Sequence, residues 1–277
     1  MQARQLDLTP QDLIRRCLAD GTVELPSLPK VAHEVMIAAQ DPERGALEVA
    51  RLVERDPLLC ARVLRSANSA LFGARTEIVS ARQAVTRIGM TDVAALAMTA
   101  AVHGALLEGG TFGVALGGWW RGSLSSALFA KEIARARRQA VDSAFLCGLL
   151  RRVGAAVVLR VLGRAAVEID ARELDRVVNA FETEAGLLIC DAWQLSAPVR
   201  SVIAYCNDDG EPADHAAQVH TVRLATELAA ALAENRPDTA ERLQTMPAAI
   251  ALNLYAEDLQ RLVAHGSTIA TAVEELS

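Results

Sequence analysis

Residue pairs that begin helices recur along the whole chain. In these pairs a Thr or Asp side chain can accept from the free N–H groups of a first turn, or Pro occupies the first helical position. No alternation of apolar and polar residues extends for more than a few positions. The pattern therefore predicts an all-α protein of about a dozen helices joined by short turns. The pairs are Thr9-Pro10, Asp41-Pro42, Asp56-Pro57, Thr91-Asp92 and Pro237-Asp238.

The apolar composition supports this prediction. Hydrophobic residues make up 52% of the chain, yet aromatic residues make up only 4%. Ala, Leu and Val supply the apolar mass, which favours packed helices over a β-sandwich. A chain of 277 residues can form one large domain or two modest lobes around a buried core. The net charge of −6 does not attract nucleic acid or an anionic membrane.

The cysteines and the first residues of the chain indicate the cellular compartment. Five cysteines are widely spaced without a CxxC pair, and residues 1–10 are too polar for a signal peptide. The longest apolar runs are either short or interrupted by arginines, so they do not span a bilayer. We expect a soluble cytoplasmic protein with reduced, buried thiols.

One segment, Asp56 to Gly73, combines a helix start with a polar helix end. Pro57 follows the capping Asp56, and apolar residues recur at helical spacing up to the pair Asn68-Ser69. We expect this pair to satisfy backbone groups at the helix end. An exposed recognition role is the alternative.

This segment resembles the HDOD (HD-related output domain) family, in which a helix begun by Asp-Pro ends in an Asn-Ser pair. The resemblance continues at residues 25–29, 84–89, 120–127, 144–154 and 186–198, and covers about residues 20–230. It implies a two-lobed helical domain. The family-pattern residues that we interpret as structural are Asp56, Pro57, Asn68, Ser69, Gly89 and Trp193.

The resemblance divides the chain at a glycine-rich stretch. Residues 1–108 would form an N-terminal helical bundle, residues 117–265 a degenerate HD-like lobe, and residues 266–277 a C-terminal tail. Glycines at 109–118 indicate a flexible break that could act as a hinge between the lobes.

Phosphohydrolases of the HD superfamily hold divalent metal with His and Asp ligands, and the metal activates water. The resemblance places those ligand positions on residues that are neither His nor Asp. Arg cannot deprotonate to bind a metal, so we predict no metal site, no cofactor and no catalytic residue. The positions hold Gly122, the pair Arg151-Arg152 and Glu182, and fall near Tyr205, Cys206 and Thr226.

Two interpretations of Arg151 and Arg152 stay open. Either they pair with carboxylates at the lobe edge, for which Glu182 and Glu184 are the candidates, or they form a pocket for a small anion. We favour the ion pairs.

The resemblance implies a non-catalytic bacterial signalling protein that binds a protein partner, with a small anion as a second candidate ligand and a homo-oligomer compatible with the sequence. Trp119 is a candidate interface anchor. One alternative is a metal-dependent phosphohydrolase or cyclic-dinucleotide phosphodiesterase with a relocated site. Another is a nucleic-acid-binding regulator that uses a basic helix end. That helix end consists of Lys131, Arg135, Arg137 and Arg138.

Overall fold

The structure, a computed structural model, describes residues 9–26, 30–41, 43–69, 76–107, 112–208 and 210–276. Within these ranges the secondary structure is helical, which confirms the predicted all-α class. The helices are α1 (Pro10–Ala19), α2 (Lys30–Gln40), α3 (Ala46–Glu54), α4 (Pro57–Ala67), α5 (Ala81–Ile88), α6 (Met90–Leu107), α7 (Gly113–Ala136), α8 (Val141–Leu150), α9 (Val153–Arg164), α10 (Ala171–Ala192), α11 (Ala197–Tyr205), α12 (Ala216–Ala233), α13 (Thr239–Leu243), α14 (Pro247–Ala251), α15 (Ala256–Ala264) and α16 (Gly266–Leu276).

Two clusters of buried apolar side chains organise these helices. The smaller one, here the N-terminal core, is formed by α2 to α6 and includes Val35, Val63 and Val85. The larger one, here the C-terminal core, centres on α7 to α12 and includes Leu124, Leu150 and Leu224.

Helix α6 belongs to both cores. Val93 and Leu96 point into the N-terminal core, whereas Met98 and Val102 point into the C-terminal core. An ion pair of 2.6 Å between Lys131 of α7 and Asp92 of α6 also joins the two parts. Because α6 is apolar on both sides, it packs into both cores and is not an amphipathic surface helix.

The chain ends differ from the sequence-based division. Ile14 and Leu18 of α1 are buried in the C-terminal core, although residues 1–108 were assigned to the N-terminal bundle. Residues 266–276 are not a tail. They form α16, and Ile269 and Ala272 are buried in the same core, because apolar residues recur there at helical spacing.

The predicted glycine break is shorter than expected. Helix α7 begins at Gly113 and includes Gly117 and Gly118. Phe112 lies in a turn, and residues 108–111 lie outside the described residues. Among the described helices, none combines the length and apolar composition needed to cross a bilayer.

The Asn68 side chain has the structural role predicted for it. Its amide nitrogen donates to the carbonyls of Leu64 and Ile78, at 2.9 and 2.8 Å, and its oxygen accepts from the Ile78 N–H at 2.8 Å. The pairing fastens the segment before α5 to the end of α4. Ser69 differs, since its hydroxyl is buried and finds no hydrogen-bond partner among the described residues.

The other family-pattern residues act on the backbone as well. Asp56 accepts from the N–H groups of Leu58 and Leu59, which caps α4. Gly89 ends α5 at φ 90°, a left-handed conformation that favours glycine. Trp193 is buried and its indole N–H donates to the Pro26 carbonyl at 2.9 Å, so the segment that precedes α2 is held against the end of α10.

Candidate functional site

A close approach of α9 and α10 builds the candidate site. A Cβ added to Gly154 would lie 1.9 Å from the Glu182 carbonyl oxygen and 2.5 Å from the Gly186 nitrogen. Only glycine permits this backbone contact. The approach brings the start of α9, and with it Arg152, beside Glu182 of α10.

Arg152 and Glu182 form a partly buried ion pair. The Arg152 Nε donates to Glu182 Oε2 at 2.7 Å, and its Nη2 donates to Asn179 Oδ1 at 2.9 Å. The second carboxylate oxygen of Glu182 accepts from the Asn207 amide at 2.7 Å. Trp119 lies against the cation, with the guanidinium carbon 5.1 Å from the ring centroid. The favoured interpretation of an arginine–carboxylate pair therefore describes Arg152.

Glu184, the second predicted carboxylate, lies elsewhere. It follows Glu182 by two residues on the same helix, and this spacing turns its side chain to another face. Glu184 is exposed, and among the described residues it forms no ion pair with either arginine.

Two further positions at which the resemblance places ligands, Cys206 and Thr226, also lie here. The Ser126 and Thr226 hydroxyls lie 3.2 Å apart, and Thr226 donates to the Val222 carbonyl at 2.7 Å. Burial raises the pKa of the Cys206 thiol, although the nearby Arg151 and Arg223 cations lower it.

Arg151 is the least satisfied member of the cluster. It caps the C-terminal end of α8, and its Nε is fully buried without a hydrogen-bond partner within the described part of the chain. Burial lowers the pKa of its guanidinium, and the charge of Arg152 lowers it further.

Residues 206–208 and 210–214 lie beside the cluster. Arg223 donates from Nη2 to the carbonyls of Tyr205, Asp208 and Gly210. Glu211 adds a contact of 3.3 Å to the buried His220. Two residues of α12, Arg223 and His220, therefore contact this turn.

The donor set at these positions does not fit a metal. Two arginines, a thiol and a hydroxyl replace imidazole and carboxylate ligands, and the carboxylate of Glu182 bonds to Arg152 and Asn207 through both oxygens. Across the described ranges, no group of three or more His, Cys, Asp or Glu residues is arranged to hold an ion. We therefore assign no chemistry here to a metal.

The basic helix end does not form a continuous cationic surface. Lys131 is buried and pairs with Asp92, and Arg135 pairs with Glu132. The structure thus removes two of the four cations that a nucleic-acid surface would need. Trp119, the candidate interface anchor, is half-buried beneath Arg152.

Sequence reasoning missed two members of the site, Asn179 and Asn207. Asn207 lies one residue beyond the position at which a family ligand was placed, within the uncertainty of that assignment. Asn179 lies one helical turn before Glu182, and this spacing is the signal that could have found it.

A helical domain with an HD-type constellation that lacks metal ligands is the class that the fold and the site define. The chain belongs to the HDOD domain family, whose profile matches residues 25–208.

Solved structures share this fold. An HDOD domain protein of unknown function from Geobacter sulfurreducens is 24% identical, with a TM-score of 0.77 over 97% of this chain and 98% of that one. A candidate metal-dependent phosphohydrolase from Shewanella amazonensis SB2B is 21% identical, with a TM-score of 0.77 over 97% and 99%. At these identities the likeness shows the fold alone.

Two further relatives are longer than this chain. A candidate signal transduction protein from Marinobacter aquaeolei VT8 is 21% identical, with a TM-score of 0.69 over 96% of this chain and 65% of that one. An uncharacterized protein from Treponema pallidum is 21% identical over 221 residues, which span 75% of this chain and 42% of that protein.

Proposed function

We propose that this chain is a non-catalytic regulatory protein of bacterial signal transduction, in which the two-lobed helical domain binds a protein partner in the cytoplasm. The observation that carries the proposal is the Arg152–Glu182 pair, 2.7 Å long, at two positions where the HD superfamily binds metal. An ion pair there satisfies both charges internally, so it supplies no open coordination position for water or substrate. Binding to a partner is what remains for such a domain to do.

Metal content and phosphodiester hydrolysis test the non-catalytic part. The purified chain is incubated with Mn²⁺, Fe²⁺, Mg²⁺ or Zn²⁺, desalted, and measured by mass spectrometry for bound metal and with bis(p-nitrophenyl) phosphate for hydrolysis. A metal-binding HD phosphohydrolase treated in parallel serves as the control. We expect substoichiometric metal and no turnover. Stoichiometric metal with turnover that a chelator abolishes would overturn the proposal.

The partner-binding part needs a separate measurement. Affinity purification of the chain from its own bacterium, followed by titration calorimetry with the purified candidate partner, should yield a saturable complex. If no purified candidate binds at micromolar concentration, the scaffold role is rejected. Movement of the lobes about residues near 112 stays a prediction, which comparison of the free and bound chain by small-angle X-ray scattering would check.

A further inference from the structure

An open cleft of 410 Å³ lies where the segment before α2 meets the end of α10. This volume is within the range of small-molecule sites, about 300 to 1,000 Å³. The cleft has an apolar side and a polar side. The side chains that line it include Leu25, Pro26, Trp193, Lys30, His33 and Gln194.

The cleft lies between elements of the two cores. Trp193 is buried in the C-terminal core, whereas Val35, two residues after His33 on α2, is buried in the N-terminal core. The Trp193 indole N–H donates to the Pro26 carbonyl at 2.9 Å and so fixes the apolar side. Trp193 follows Glu182 by about 16 Å along α10. The cleft is therefore separate from the Arg152–Glu182 pair, and a ligand in it would contact both cores.

The polar side of the cleft favours an anion. Lys30 is 85% exposed, and the carboxylate of Glu34 lies 3.8 Å from its Nζ but bonds more closely to Arg55, at 2.5 Å. His33 is half-buried and forms no hydrogen bond or ion pair with the residues that the structure describes, so its imidazole is free to donate. The described lining contains no carboxylate, although the whole chain carries a net charge of −6.

We propose that this cleft binds a small organic anion with a flat apolar body. The anionic group contacts Lys30 and His33, and the body lies against Leu25 and Trp193, since aromatic rings pair favourably with an indole. An inorganic anion would leave the apolar side in water, and a neutral aromatic molecule would leave Lys30 without a counter-ion. This inference goes beyond the proposed function, because it adds a ligand site that does not depend on the former metal positions.

Titration calorimetry with pairs of anionic and neutral probes tests the proposal. AMP is compared with adenosine, and 1-naphthoate with 1-naphthalenemethanol. Both anions have a flat body, but one carries a phosphate and the other a carboxylate, so the comparison identifies which source the cleft prefers. We expect at least one anion to bind saturably at one site per chain. Its neutral counterpart should bind about tenfold more weakly, because it lacks the charge-assisted contacts.

Charge changes at the rim give the sharpest variants. Gln194 is exposed and lines the cleft, so Gln194→Lys should strengthen anion binding by about threefold, and Gln194→Glu should weaken it by about threefold. Lys30→Gln should also weaken binding. Arg172→Gln, which removes an exposed cation of α10 outside the cleft, is the matched control and should leave the affinity unchanged. All four changes are at exposed positions, and urea unfolding checks that the variants fold.

Several results would overturn the inference. It is rejected if neither anion binds saturably at millimolar concentration, or if the neutral probes bind as tightly as the anions. It is also rejected if the two Gln194 variants do not shift the affinity in opposite directions. Each of these results leaves the proposed function intact, since that depends on metal content, turnover and partner binding. Conversely, anion binding by a chain that also holds stoichiometric metal and turns over substrate would reject the non-catalytic role and keep the cleft.

Discussion

In the N-terminal core the family-pattern residues bond to the backbone, whereas at the former metal positions of the C-terminal core side chains bond to one another. Asn68 satisfies the backbone of Leu64 and Ile78. Arg152, Glu182 and Asn207 form a chain of side-chain contacts. Bonds of the first kind join a side chain to backbone groups that nearly every residue carries. Side-chain networks of the second kind depend on which residues are present, and they are stable only when their charges remain paired.

Gly154→Ala should cause the largest loss of stability, because it disrupts the α9–α10 contact that positions the side-chain network. Its Cβ would lie 1.9 Å from the Glu182 carbonyl oxygen, so α9 and α10 must separate. We expect a loss of about 3 kcal/mol or more in the free energy of unfolding, measured with urea. Gly122→Ala is the control, since nothing lies within 4 Å of its added Cβ, and should be neutral or stabilising. A Gly154→Ala protein as stable as wild type would show that the helices do not touch as described.

Glu182→Ala should cause the second-largest loss in the free energy of unfolding, because it leaves the partly buried Arg152 without its counter-ion. The Glu182 side chain is 3% exposed and that of Arg152 is 18% exposed. We expect a loss of about 3 kcal/mol in the free energy of unfolding. The double variant Arg152→Met/Glu182→Leu should recover most of it, since no charge remains unpaired. Equal losses in the single and double variants would indicate that packing, rather than charge pairing, accounts for the effect.

Asn68→Ala tests the other side of the comparison. It removes three hydrogen bonds and leaves the N–H and carbonyl of Ile78 unpaired in a residue that is 3% exposed. The expected loss is about 2 kcal/mol. Gln83→Ala, which removes one exposed bond to the Val79 N–H, should cost well under half as much. Similar losses in both variants would argue against a special role for Asn68.

The pH dependence of stability should give the smallest effect. Burial, and then the charge of Arg62, lower the pKa of His103 below its ordinary value of 6.5. The unfolded chain therefore binds a proton more readily than the folded one, so stability falls as pH drops below 6.5 towards the folded pKa. His103→Gln should make this slope shallower than that of the wild type. Urea unfolding across this range measures both, and an unchanged slope in His103→Gln would reject the assignment.

Most of the correct structural predictions came from local sequence motifs. The Asp56 cap and the Asn68 bonds are determined within a few residues of chain, so propensity and the family pattern suffice. The Arg152–Glu182 contact could be predicted because the resemblance places both residues at one former metal centre. Their partner Asn179 was missed because the family positions do not include it, although it lies one helical turn before Glu182.

Contacts between residues far apart in the sequence could not be predicted. The apolar face of α1, with Ile14 and Leu18, would fit either core, and only the folded chain shows that it joins the C-terminal one. The family resemblance ends before residues 266–276, so it predicts a tail where the structure has α16. The orientation of a side chain, as for Glu184, depends on helical phase relative to a neighbour, which one sequence does not specify.

Because α6 belongs to both cores, the chain cannot be cut beside this helix without disturbing one of them. With Val93 facing one core and Met98 the other, a fragment that ends before α6 lacks a wall, and one that ends after it exposes an apolar surface. Neither half would be expected to stay monomeric in water. We therefore expect the two cores to unfold together as one cooperative unit, and we expect proteolysis between them to release fragments that aggregate.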